Sequence, residues 1–317
     1  MAGILKAVYP HIKICFVGNS YVKPLIDCCE HIDLHVDSET VISEPDILKD
    51  LGIDIFLNPF PHHQLAVAAH RAGVPIRVGN LRRLKTVRYC NRFVMYSRKR
   101  NNRHEIELNL ENLAGLGLPV NYDRAEIIRC FGLTRIPPLP PELARLLTSD
   151  RFNLIIHPKS SKNGREWPAG HYLDLVRMLP EDRFRVFLTG IESEGAVLRR
   201  EIPDIFTLPH LVDLCGKLSV QQSLACIFNA DGLVASGTGP LHVAAAMGKH
   251  VLGIFPPRDR IDPCHWGPIG AKAEFLCLKE RCVPGGLRCS EKSSGESCAC
   301  TEAIKPAQVF ERVMTWG

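Results

Sequence analysis

The chain has 317 residues, 45% of them hydrophobic and 23% charged, with a net charge of +5. This is enough apolar surface for a full core, and the length favours two domains over one. No apolar run approaches the roughly 20 residues that cross a bilayer, and the mixed segment after Met1 lacks a signal-peptide pattern, which points to the cytoplasm.

Short β-branched runs alternate with helical patterns along the chain, the signature of parallel sheets with crossover helices. In the first half, strands are expected over residues 12–17, 53–57, 76–78 and 93–96, and helices over 63–72 and 104–116. The prolines of Ile136-Pro-Pro-Leu-Pro-Pro141 suit a stiff connector. We therefore divide the chain into residues 1–136, a linker at 137–141, and residues 142–317. In the second half, strands are expected over 154–157, 185–188, 232–235 and 251–255, with helices over 171–179, 221–229 and 241–247. Two such α/β domains imply a cleft between them, with ligands at the carboxyl ends of the strands.

The charge is unevenly spread. Residues 77–103 hold ten Lys or Arg and no Asp or Glu, so the rest of the chain is net acidic. The tightest part, Arg98-Lys99-Arg100 with Arg103, opens a helical segment, where cations beside a helix start favour a bound anion. A solvated face would carry such a run equally well. Nucleic acid is not expected, because no aromatic residues interleave with the cations in the RNA-binding manner. A phosphorylated or carboxylated acceptor, or an anionic membrane surface, fits better.

The most informative stretch is Leu233-Val-Ala-Ser-Gly-Thr-Gly-Pro-Leu-His-Val-Ala-Ala-Ala-Met-Gly248, which reads as strand, tight loop and helix. Gly237 and Gly239 let the backbone turn, Thr238 can cap, and Pro240 suits a first helical turn. Unpaired N–H groups and the macrodipole then make an anion cradle suited to a diphosphate, with His242 close by. A second strand-to-helix loop, His157-Pro-Lys-Ser-Ser-Lys-Asn-Gly-Arg-Glu-Trp-Pro168, offers Ser160, Ser161, Lys162 and Arg165 to the same group. A third, Thr189-Gly-Ile-Glu-Ser-Glu194, offers Glu192 or Glu194 to a ribose or sugar hydroxyl. Acidic residues are also common in first helical turns for structural reasons.

Together these loops resemble glycosyltransferase family 9, the ADP-heptose:lipopolysaccharide heptosyltransferases. The segment from Ser236 to Gly248 is similar to the family's strand-loop-helix hallmark, and Arg165-Glu-Trp-Pro168 to its basic-x-Trp-Pro turn. The resemblance implies a GT-B-type fold of two Rossmann-like domains and an inverting transfer of a sugar, heptose by analogy, from an ADP-sugar to a lipopolysaccharide core. It places Ser160, Ser161, Arg165, Thr238, Gly239 and His242 on the donor's phosphates and sugar, and Glu192 or Glu194 near the nucleoside, with Lys162 beside them as a further cation of the loop. Arg98, Lys99, Arg100 and Arg103 would meet an anionic glycolipid acceptor, with peripheral contact at the cytoplasmic face of the inner membrane.

Two departures from the family pattern carry consequences. Gly237 stands where the family has an acidic residue. The family also opens with a strand and a Gly-Asp loop whose aspartate serves as general base, whereas the segment from Gly3 to Pro10 reads as the end of the helix that follows. The first strand is therefore expected to be missing, and His62 and His63 are the nearby substitutes for the base. No Asp-x-Asp is present, and Cys277, Cys282, Cys289, Cys298 and Cys300 are irregularly spaced, so neither a metal nor another cofactor is expected. The rival readings are a nucleotide-sugar epimerase of the same fold and a non-catalytic binder of nucleotide sugars or glycolipids.

Overall fold

Every strand of the structure, a computed structural model, pairs in parallel with its neighbours. It describes residues 1–97, 103–160, 165–257, 261–278 and 298–316. The chain divides into two units, Met1–Arg135 and Ile136–Gly317. Pro141 opens a short helix, Pro141–Ala144, as its preset φ allows, and Leu143 enters the second unit's core.

The first unit begins with a helix, Ala2–Val8, that buries Ile4 and Leu5. Its strands are β1 (Cys15–Gly18), β2 (Leu34–Asp37), β3 (Ile55–Leu57), β4 (Ile76–Asn80) and β5 (Arg92–Val94). They fall into two separate sheets, β1-β2 and β3-β4-β5. Cys15 and Val17 of β1 and Phe56 of β3 nevertheless pack on one core, around Val36, Val41, Ala68 and Val74. β1 and β3 therefore line the same layer without sharing a hydrogen-bond ladder. No residue of either strand is buried. The inner strands of a parallel sheet are normally covered on both faces, so this partial exposure follows from the break between the two sheets.

The second unit has one sheet of six strands, β6 (Phe152–His157), β7 (Phe184–Leu188), β8 (Leu211–Asp213), β9 (Gly232–Ser236), β10 (His250–Ile254) and β11 (Ala273–Leu276). Their order is β11-β10-β9-β6-β7-β8. Alternate residues point to opposite faces. Leu154, Ile156, Val186, Leu188 and Val234 join one core with Trp167 and Tyr172. Ile155, Phe187, Leu233 and Val251 join the other with Leu241 and Ala244. Both faces being covered, these strands read as continuous apolar runs, and that is why the sequence reveals them.

The expected strand at 12–17 lies at 15–18, and the expected helix at 104–116 is an α-helix, Glu105–Leu110, continued by a tighter 3₁₀ segment to Leu116. Strands β2, β8 and β11 were not expected. Each is an edge strand of three or four residues.

Candidate functional site

The chain leaves β6 outward through β7 and β8, then returns to β9, the neighbour of β6 on the other side. Such a reversal opens a crevice at the carboxyl ends of the two strands, the usual ligand position in an open α/β sheet. His157 ends β6 opposite Ala235, and Ser236 ends β9.

From Ser236 the backbone turns through Gly237 and Thr238 into the helix Gly239–Ala246, with Pro240 in its first turn. Thr238 is the N-cap residue, yet its side chain caps nothing. Its hydroxyl is buried without a partner, and an unsatisfied buried group in a native fold calls for a physical reason. A Cβ on Gly237 would stand 2.9 Å from the Phe255 ring, so Phe255 occupies the space a side chain there would need. Around Gly239 the space is open. His242 lies half-buried one turn into the helix.

The second loop is held by Arg165-Glu166-Trp167, all three buried. Glu166 accepts the Ser160 N–H at 2.8 Å and pairs with Lys159 at 3.2 Å. Lys159 also meets Glu201 at 2.9 Å. Burial lifts the Glu166 carboxyl above its usual range, opposed by the Ser160 N–H and Lys159. The Trp167 N–H donates to Ser236 Oγ at 3.0 Å, and its indole N–H donates to the Ile304 carbonyl at 2.8 Å. Thr301 donates to the Glu166 carbonyl at 2.9 Å. This segment thus ties the β6 loop to the β9 turn and to the C-terminal helices, and it brings Ser160 and Arg165 to the same strand ends as Thr238, Gly239 and His242. Ser161 and Lys162 lie outside the described residues.

The third loop joins them through His157. Its Nδ1 lies 3.0 Å from Thr189 Oγ1, which itself donates to the Ile156 carbonyl. The Thr189 hydroxyl thus stands between the imidazole and the Ile156 carbonyl and ties the third loop to β6. Burial holds this imidazole down to about 4. Glu194 accepts the Ile191 N–H at 2.8 Å and so closes the first turn of the helix Glu192–Glu201. Glu192 is exposed and lies 3.5 Å from Arg199. Both carboxylates carry structural contacts at this edge.

In the first unit, His62 is exposed and caps the helix His63–Arg71, its Nδ1 accepting the Leu65 N–H at 3.4 Å. His63 packs on Tyr89, with ring centres 5.6 Å apart, and its Nδ1 is buried without a partner. Arg103 forms ion pairs with Glu107, at 3.1 Å, and with Glu111. Arg98, Lys99 and Arg100 lie outside the described residues. Among the described residues no cluster of His, Cys, Asp or Glu is arranged to hold a metal ion, and no helix is long and apolar enough to cross a membrane.

Sequence reasoning missed His157, Glu166 and Ser236 as parts of this site. Their contacts span 32, 6 and 69 positions, and only Glu166 had a local signal, its place inside the Arg-Glu-Trp-Pro turn.

The model of glycosyltransferase family 9 (heptosyltransferase) matches residues 95–293, more than half of the chain. A relative in Haemophilus influenzae, provisionally named a glycosyltransferase, is 23% identical, the match covering 89% of this chain and 84% of the relative. The solved Escherichia coli ADP-heptose lipopolysaccharide heptosyltransferase II is 18% identical with a TM-score of 0.73, over 99% of this chain and 92% of that one. The Escherichia coli heptosyltransferase WaaC, solved with ADP, is 14% identical with a TM-score of 0.69, over 100% of this chain and 94% of that one. These likenesses give the chain the α/β fold of GT-B-type heptosyltransferases, and with the match to its model the chain belongs to glycosyltransferase family 9.

Proposed function

We infer that the chain transfers a sugar, heptose in the reading its family favours, from an ADP-sugar to a lipopolysaccharide-core acceptor with inversion. The observation that carries this is the buried, unpartnered Thr238 hydroxyl at the start of the helix Gly239–Ala246, at the switch point of the second sheet. A diphosphate oxygen arriving there would supply the missing partner, and the helix dipole favours its charge. In this reading residues 142–317 hold the donor and residues 1–136 the acceptor. Ser160, Ser161, Lys162, Arg165, Gly239 and His242 surround the diphosphate, while Glu192 or Glu194 lies towards the nucleoside. Arg98, Lys99, Arg100 and Arg103 meet the anionic acceptor.

In the reaction the acceptor oxygen attacks the anomeric carbon as the bond to the diphosphate breaks, and a base takes the hydroxyl proton. Charge develops on the departing diphosphate. N–H groups and cations already aimed at that position stabilise it without reorganisation.

ADP is expected to raise the melting temperature of the chain by mass action. Thr238→Val keeps the shape and removes an orphan hydroxyl, so the unliganded variant should melt no lower than the parent. Its affinity for ADP should fall by roughly 10- to 100-fold, the worth of one hydrogen bond to a charged group, about 1.5 to 3 kcal/mol. Calorimetric titration of parent and variant checks this. Equal affinities would remove Thr238 from the site, and no binding of any nucleoside diphosphate would overturn the donor assignment.

A further inference from the structure

A buried ion pair adds little to stability, because desolvation cancels much of the attraction between its charges, and apolar side chains of similar volume often serve as well. The loop that follows β6 nevertheless keeps one. Glu166 is buried, the Lys159 side chain is only 15% exposed, and the two stand 3.2 Å apart. Neither has a part in the sugar-transfer reading.

The pair is connected on both sides. Glu166 gives one carboxylate oxygen to Lys159 and the other to the Ser160 N–H, at 2.8 Å, so the end of the loop closes back on its beginning. The Glu166 carbonyl accepts from Thr301 at 2.9 Å and the neighbouring Trp167 indole donates to Ile304, which gives the carboxylate a fixed base. Lys159 reaches on to Glu201 at 2.9 Å. Glu201 ends the helix Glu192–Glu201, whose first turn carries the carboxylates assigned to the nucleoside side. Burial pulls the Lys159 ammonium down, but Glu201 and Glu166 outweigh it and hold it above its usual range. With its charge answered by two carboxylates, Lys159 serves as a bridge between the two loops.

We propose that Glu166 is a positioning residue for the donor, acting through Ser160 and, by way of Lys159, through the helix Glu192–Glu201. This deepens the sugar-transfer reading and rests on it. Glu166 itself touches no substrate. It fixes where Ser160 meets the diphosphate, and the Lys159 bridge holds that loop at one spacing from the helix on the nucleoside side. Polar contacts suit this task because a hydrogen bond has a direction and apolar burial has none.

The test replaces the whole pair. Lys159→Met, Glu166→Leu should melt close to the parent, since neither partner is left buried and alone. Its affinity for ADP, read by calorimetric titration, should fall about tenfold or more as the loop loses its place. The loss should appear in the donor KM more than in kcat, because the contact exists before the transfer as well as during it. Glu166→Gln keeps an oxygen for the Ser160 N–H and should bind ADP within about threefold of the parent. Without any ligand, the Ser160 amide should exchange faster in the double variant and stay slow in Glu166→Gln. If the double variant melts far below the parent, Glu201→Gln decides instead. That residue is exposed, and releasing Lys159 from the helix should weaken ADP about two- to fivefold. Equal ADP affinity in parent and variant, or unchanged exchange at Ser160, overturns the proposal and leaves the donor assignment standing. No ADP binding by the parent overturns both.

Discussion

A strand ending in a Gly-Asp turn, seated between β1 and β3, is expected to raise sugar-transfer turnover by about 10²- to 10⁴-fold, the usual worth of a positioned general base. The reason lies in the first unit's sheet. A doubly wound sheet of five strands can pair its first strand with its third, yet β1 and β3 line one core in two separate sheets. Each presents an unpaired ladder toward the break, the position that most readily accepts a further strand. A strand there would also deliver the carboxylate of its turn to the carboxyl edge of the sheet.

His62 and His63 are poorly placed to replace it. His62 is occupied as a helix cap and His63 is packed on Tyr89. Turnover would be followed as ADP release with a lipopolysaccharide-core acceptor, beside melting temperature, since joining the two sheets should stabilise the unit. Equal turnover by the parent and the extended chain would remove the need for the added aspartate. Loss of activity in His62→Ala or His63→Ala would then identify the base.

The second large effect concerns pH. His157 is expected to lower the stability of the chain by up to roughly 3 kcal/mol as pH falls from 6.5 to about 4. The sign follows from linkage. Burial depresses the imidazole in the folded state, so between these values the unfolded chain binds the proton and the folded chain does not. The stability is therefore full above 6.5 and lost as pH falls through the folded value. Glu166, lifted by burial, works in the opposite sense, while His171 and His250, lowered by burial, work in the same one. Comparison with His157→Asn isolates the contribution, since an asparagine amide does not titrate and can either donate to or accept from Thr189. Urea unfolding of both chains across this range should show a steeper acid loss in the parent. Parallel curves would mean that the ring titrates normally.

The parts of this protein that rest on local rules are legible in the order of its residues. The buried strands β6, β7, β9 and β10 are legible because a strand covered on both faces must be apolar throughout. The turn from Ser236 to Pro240 is legible because glycine, a capping residue and proline each have a positional preference beside a helix start. The family signature lies in those same segments. Edge strands β2, β8 and β11 escaped, because a short strand covered on one side keeps polar residues such as His35, Asp213 and Glu274 and shows no apolar run.

Which groups meet is settled by packing. It engaged Arg103 with Glu107 and Glu111, gave Glu194 a capping bond, and set Phe255 against Gly237. It tied Trp167 to Ser236 and to Ile304, set His157 against Thr189, and left Thr238 without a partner. These contacts join residues far apart in the chain. Their geometry is set by the order in which parallel strands pack, and strand order is not written in the spacing of residues along any one strand.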